Sequence, residues 1–295
     1  MTHPEQQSIV QHIREFDAGF ELQAAHAVGG GSINSAWRFE GQKRSYFVKF
    51  NRAERVGMFA AEADGLQALA AAQAVHVPRA LGHGVAGAQA FLICEWLCLS
   101  TPHRDSAEIL GRQLAELHGR PQTGYGWHRD NTIGSTAQPN TPDDDWSAFW
   151  REQRLGFQLA LGRRHGFSSP LLDKGERLMD KLPKLLAGHQ PAASLLHGDL
   201  WGGNWGVDAS GAPVLFDPAV YCGDREADMA MTELFGGFPE AFYAAYRECW
   251  PLDEGYQLRR TLYNLYHVLN HANLFGGGYA AQAEAMVDRL LAEAG

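Results

Sequence analysis

Asp199 lies in the run SLLHGDLWGGNWG (residues 194–206), with Asn204 five positions later and Trp201 between them. A carboxylate held on a tight loop can take the proton of an attacking hydroxyl. A carboxamide oxygen is the kind of hard ligand that Mg2+ accepts. Gly202 and Gly203 permit the cramped backbone path that larger residues would obstruct. Thirteen residues past Asn204, Asp217 closes the apolar run VLF. The hairpin between them would return it beside the loop as a second metal ligand, although an acid there could also just cap the turn before Pro218. Phosphoryl transfer from ATP needs such a set: a base, a metal with its ligands, and a cation for the phosphates that stay behind.

The cation is sought on a buried strand. Lys49 sits in YFVKF, flanked by apolar residues, and a lysine so placed needs a partner or an anion. Glu62, on the helix expected next, is the natural ion-pair partner. Upstream, Gly29, Gly30 and Gly31, followed by Ser32, can bring backbone N–H groups against phosphate oxygens. A glycine triplet alone more often marks a flexible turn. Ahead of a strand and a buried lysine it gains weight.

The elements that would position these groups can be read coarsely. Residues 35–50 form two strands joined by a turn around Gly41. Residues 58–72, rich in alanine, favour a helix, and AFLICEWL is a buried strand. Ala107, Leu110, Leu114 and Leu117 then share one face of a helix running from Ser106 to about Gly119. Asp143, Asp144 and Asp145 start another helix as caps, with Trp146, Phe149 and Trp150 on one side. NWGVDASGAPVLFD is strand, turn, strand. Leu262, Leu265, Leu269 and Ala272 form one face of a late helix; Tyr263, His267, Asn270 and His271 lie away from it and could line an acceptor pocket. Ordinary hydrogen-bonded histidines compete evenly with that role for His267 and His271, and their spacing lacks the glutamate of a zinc helix.

Lys49, Glu62, HGD-x4-N and Asp217, in that order, resemble the protein-kinase-like fold of small-molecule kinases. HGDLWGGNWG, FDPAVYCGDREADMAM, FGGFPEAF, YGWHRDNTIGSTAQPN and LYHVLNHANLFGGGY together are similar to the fructosamine (ketosamine) 3-kinases over nearly the whole chain. The resemblance implies an α+β, two-lobed fold: a small β-rich lobe with one main helix over residues 1–97, and a larger, mainly helical lobe over 98–295. It also implies ATP- and Mg2+-dependent phosphorylation of the 3-hydroxyl of a ketosamine, a step in deglycation repair. Asp199 would be the base, Asn204 and Asp217 the metal ligands, and Lys49 the phosphate clamp oriented by Glu62. The hinge meeting adenine would lie around Glu95 to Leu97. Some relatives carry a cysteine in the glycine-rich loop; GGGSIN has none, so no thiol switch is expected there.

Trp201 could pack on the apolar face of a sugar or on the linking amine, or be a core indole. His197 would brace the catalytic loop, and Asp228 would cap the following helix or accept loop N–H groups. A kinase for aminoglycosides or choline-like alcohols would share every catalytic residue. A non-catalytic nucleotide-binding module would typically have lost one of them.

With 295 residues, 45% hydrophobic and 20% charged, the chain is an ordinary globular protein. A net charge of −9 argues against nucleic acid as a partner. The most apolar run, AFLICEWLCL, is too short and too polar to span a bilayer. The N-terminus lacks signal-peptide features, and Cys94, Cys98, Cys222 and Cys249 read as reduced thiols of a cytoplasmic protein rather than as disulfides or half a zinc site.

Overall fold

The computed structural model describes residues 3–29 and 33–295. Helix α1 (His3–Phe16) precedes strands β1 (Leu22–Val28), β2 (Ser35–Gly41) and β3 (Ser45–Arg52). After a short 3-10 turn come α2 (Val56–Ala72), β4 (Ala80–Ala86) and β5 (Gln89–Glu95). The five strands form one antiparallel sheet in the order β1-β2-β3-β5-β4. The expected hairpin is present, its turn closed by the Gly41 N–H donating to the Arg44 carbonyl at 2.9 Å. Alternation along β3 sorts its side chains between the two faces of the sheet. Tyr46, Val48 and Phe50 join Ile9, Ile13, Phe39 and Ile93 in one apolar cluster. Phe47 and Lys49 therefore lie on the opposite face, where Phe47 packs with the buried residues of α2.

Beyond Glu95 the chain is mainly helical. It continues through α3 (Arg104–His118), β6 (Asn131–Ile133), β7 (Thr136–Gln138) and α4 (Trp146–Phe149). A π-helical stretch over Trp150–Gly156 leads into α5 (Phe157–His165) and α6 (Ser169–Leu185). Then follow β8 (Ser194–Leu196), β9 (Trp205–Val207), β10 (Pro213–Leu215), β11 (Tyr221–Gly223), α7 (Arg225–Thr232), α8 (Glu240–Cys249), α9 (Tyr256–Phe275) and α10 (Tyr279–Ala294). Ala107, Leu110, Leu114 and Leu117 are fully buried, as their spacing requires. Helix α3 starts two residues before Ser106 because His103 and Ser106 form a reciprocal cap, each side chain accepting the other's backbone N–H. Asp145 caps α4 by accepting the Ala148 N–H at 2.9 Å.

The two-faced picture of α9 needs correction. Every residue over 261–270 is buried, because α5, α7, α10 and the π-helical stretch pack around it. Its polar side is satisfied by protein: Tyr263 donates to Asp224 Oδ2 at 2.5 Å and Tyr266 to Gln138 Oε1 at 2.7 Å. Among the described residues no helix is long and apolar enough to cross a membrane. All four cysteines are free thiols, with Cys94 buried and Cys98 exposed.

Candidate active site

Strands β9 and β10 form the hairpin expected after Asn204, with Leu215 opposite Trp205. Asp208 fixes its turn by accepting the Ser210 and Ala212 N–H groups at 2.8 and 3.0 Å. The Phe216 N–H donates to the Asn204 carbonyl at 3.0 Å, so Asp217 emerges beside the catalytic loop. Its φ of 58° lies in the left-handed region, which Asp tolerates better than most residues.

Lys49 is only 6% exposed. Its Nζ lies 2.6 Å from Glu62 Oε1 and 2.6 Å from Asp217 Oδ1. Burial would pull the pKa of the ammonium down, but the two carboxylates outweigh that and hold it above its usual value. Lys49, Glu62 and Asp217 are thus brought together as one charged cluster.

Asp199 and Asn204 form the second group. The Asn204 Nδ2 donates to the Asp199 carbonyl at 2.8 Å and to its Oδ2 at 3.2 Å, which leaves the carboxamide oxygen as the ligating atom. Burial, reinforced by the Asp217 charge, pushes Asp199 up to about 7. The donor set of Asn204 and Asp217, a carboxamide and a carboxylate, suits a hard cation. Asp217, with one oxygen on Lys49, keeps its side chain about half exposed.

Two buried residues shape the loop. Asp228 lies in the first turn of α7 and accepts the His197 and Gly198 N–H groups at 2.7 and 2.9 Å; the cap of α7 is Asp224. Of the two roles open to Asp228, it takes the loop-holding one. Its partner His118, at 3.3 Å, was not foreseen. Burial works to raise the Asp228 pKa, but His118, His197 and the loop N–H bring it below the ordinary carboxylate value. His197 donates from Nε2 to the Phe216 carbonyl at 3.0 Å and accepts the Asp199 N–H at Nδ1, 3.3 Å. Acceptance at Nδ1 requires the neutral ring, and burial lowers its pKa accordingly. Gly198 has φ 81°, and a Cβ there would meet the Ala219 carbonyl oxygen at 2.1 Å, so glycine is obligatory.

Trp201 is 39% exposed. It starts an aromatic row that sequence patterning did not reveal: Phe235 lies edge-on at 6.3 Å, His271 lies 4.8 Å from Phe235, and Phe275 and Tyr279 flank His271 at 5.4 and 5.1 Å. The only trace in the sequence is that these residues fall in HGDLWGGNWG, FGGFPEAF and LYHVLNHANLFGGGY. His271 reaches this row, donating from Nδ1 to the His267 carbonyl at 2.8 Å. His267 does not: it is buried, and its Nδ1 finds no partner among the described residues.

Burial drives His267 down to about 3. The unfolded chain, with an ordinary imidazole near 6.5, therefore takes the proton first on acidification. The stabilising difference is fully present above pH 6.5 and is lost as pH falls toward 3. In urea titrations at pH 7, 6 and 5, His267→Gln should flatten the decline in unfolding free energy by about 1 kcal/mol per pH unit. An unchanged slope would contradict the burial argument.

Glu95 ends β5 with its N–H on the Arg79 carbonyl at 3.0 Å and its Oε1 accepting the Arg79 N–H at 2.8 Å. Leu97 follows beyond the strand. Gly29 is exposed just past β1; Gly30, Gly31 and Ser32 lie outside the described residues. One further cluster, His189, Glu226 and Asp253, has the elements of a metal site. Glu226 is, however, tied to Arg259 by bonds of 2.6 and 2.9 Å, and His189 to Asp224 at 2.6 Å.

A five-stranded sheet carrying a lysine paired to a helix glutamate, set over an HGD loop on a helical body, defines a protein-kinase-like phosphotransferase. Aminoglycoside phosphotransferases share the fold. The family model described as fructosamine kinase matches residues 5–293, and the chain belongs to that family. A relative from Synechocystis sp., named a probable ketoamine kinase, is 46% identical over 97% of this chain and 96% of its own. The chloroplastic protein-ribulosamine 3-kinase of Arabidopsis thaliana is 42% identical, covering 90% and 82%. A solved structure from Haemophilus somnus 129PT, described under the fructosamine-3-kinase name, superposes with TM-score 0.90 at 32% identity over 97% of each chain. The chain is an ATP-dependent kinase of the ketosamine-directed kind.

Proposed function

We propose that the protein transfers the γ-phosphoryl group of ATP to the 3-hydroxyl of a sugar-amine adduct, with Asp199 as the base that takes the hydroxyl proton. The observation that carries this is the chain of contacts from Asp199 to Asn204, from Asn204 to the residue before Asp217, and from Asp217 to Lys49. Lys49 serves the non-transferred phosphates, and Glu62, 2.6 Å away, keeps its ammonium aimed. Asn204 and Asp217 would hold Mg2+; when bound, the ion screens phosphate charge. Glu95 has committed its amide to Arg79, so the adenine-facing donor falls to Trp96 or Leu97. Gly29 and the residues up to Ser32 would serve the phosphates through their backbone N–H groups. Trp201 and His271 bound the acceptor side, and His267 supports His271 from beneath through its carbonyl. The same proposal divides the chain at 97/98 into nucleotide and acceptor lobes. It places the protein in the cytoplasm, in keeping with its free thiols.

Synthetic fructose-lysine and ribulose-lysine should be turned over with ATP and Mg2+, and NMR of the product should place phosphate on the 3-oxygen. Phosphate on another oxygen, or turnover only of an aminoglycoside or choline-like alcohol, would replace the acceptor assignment.

A further inference from the structure

We propose that residues 127–131 form a latch that fastens α2 to the strand following Asp217, and thereby holds the Lys49 ammonium between its two carboxylates. The proposal rests on Lys49 being the phosphate-binding cation. Trp127 donates its indole N–H to Asp64 Oδ2 at 2.8 Å, and Arg129 donates to the Ala60 carbonyl at 3.3 Å. These contacts bracket Glu62, two residues before it and two after. Asn131 donates to the Val220 carbonyl at 2.7 Å, three residues beyond Asp217. One short segment therefore grips both elements that supply Lys49 with its partners.

Its base is anchored to β11 itself and to the chain at Asn140. Gly126 exchanges backbone hydrogen bonds of 2.8 Å with Cys222, and the Trp127 N–H donates to the Asn140 carbonyl at 2.9 Å. Gly126 has φ 100°, and a Cβ would meet the Asn140 carbonyl oxygen at 2.6 Å, so the approach admits only glycine. Asn140 is itself held by Arg154 at 2.8 Å. The Trp127 ring packs against both large apolar clusters. Helix α2 also packs directly on the segment between Asp217 and β11, since a Cβ on Gly65 would lie 3.0 Å from Val220 Cγ2. Slippage of α2 by about 1 Å would open the 2.6 Å Lys49–Glu62 contact beyond hydrogen-bond range, and misplacements of that size can cost about 100-fold in rate. His128 also approaches Asp64, at 3.2 Å, but its ring is 60% exposed, so that pair contributes little.

The test is steady-state kinetics with ATP and ketosamine varied separately. Trp127→Phe keeps an aromatic ring, though a smaller one, and removes the donor; Arg129→Ala removes the second contact from a part-buried side chain. The double variant should lose about 10- to 100-fold in kcat/KM for ATP, with KM for ketosamine within about twofold. In a Glu62→Gln background the same changes should cost less than about twofold more, because the latch acts through Glu62. Wild-type kcat/KM for ATP, or an undiminished effect in that background, would overturn the latch. Should Trp127→Phe fold poorly in a melting scan, Arg129→Ala alone carries the same cycle. Lys49→Met separates the two ideas. If it leaves ATP kinetics intact, the Lys49 assignment fails; if it destroys them while the latch variants do nothing, only the latch fails.

Discussion

Asp199→Asn should lower kcat for ketosamine phosphorylation by about 10²–10⁴-fold, the usual cost of losing a general base. Nucleotide affinity should change by less than about threefold. The substitution is nearly isosteric, and its oxygen can still accept the Asn204 amide that now bonds Asp199 Oδ2. The wild-type carboxylate is a better proton acceptor than an exposed one, because burial and the Asp217 charge raise it to about 7. An amide has no such basicity at any accessible pH. Single-turnover phosphate transfer, with nucleotide binding followed by calorimetry, separates chemistry from binding. A loss below about tenfold would move the base elsewhere. A loss matched by weakened nucleotide binding would mean that the loop, rather than proton transfer, had been damaged.

What the sequence disclosed has a physical pattern. Lys49 and Glu62 were legible because a lysine between apolar strand residues has few tolerable environments, and the next helix offered an acid. Asp199, Asn204 and Asp217 were legible because a hairpin of fixed length returns the chain to its starting point. The buried face of α3 followed from its periodicity, and the existence of α2 from its alanine-rich composition. Strands β6, β7, β8 and β11 were missed because three residues are too few to express a period of two; β9 and β10, equally short, were legible only through the DASG turn between them. Helix α9 was misjudged because its polar residues suggested a wet face, whereas Tyr263 and Tyr266 find buried partners more than a hundred residues away or on another helix. The aromatic row from Trp201 to Tyr279 and the contacts of residues 127–131 with α2 are tertiary. No local spacing encodes that Trp127 meets Asp64, 63 residues earlier.

Asp228→Ala should strongly destabilise the catalytic half of the molecule. The carboxylate accepts two loop N–H groups, at 2.7 and 2.9 Å, and meets His118 at 3.3 Å, all in a region shielded from water. Truncation strands both N–H donors and the His118 ring without an acceptor. Hydrogen bonds to charged groups are each worth about 1.5–3 kcal/mol, and one-sided removal from a buried charged network costs about 3–5 kcal/mol. The loss should be about 3–5 kcal/mol in a urea titration at pH 7. Because the folded carboxyl titrates below its ordinary value near 4, its contribution is complete above pH 4 and is lost as pH falls through the folded value; the variant should lack that acid-dependent component. Asp228→Asn retains one oxygen and can satisfy one of the two N–H groups, so it should recover part of the stability. Its kcat should nevertheless stay low, since the loop that carries Asp199 then loses one of its two bonds to residue 228. If Asp228→Ala cost less than about 1 kcal/mol, water would have to reach the His197 and Gly198 amides, and the loop would owe its shape to Gly198 and His197 alone.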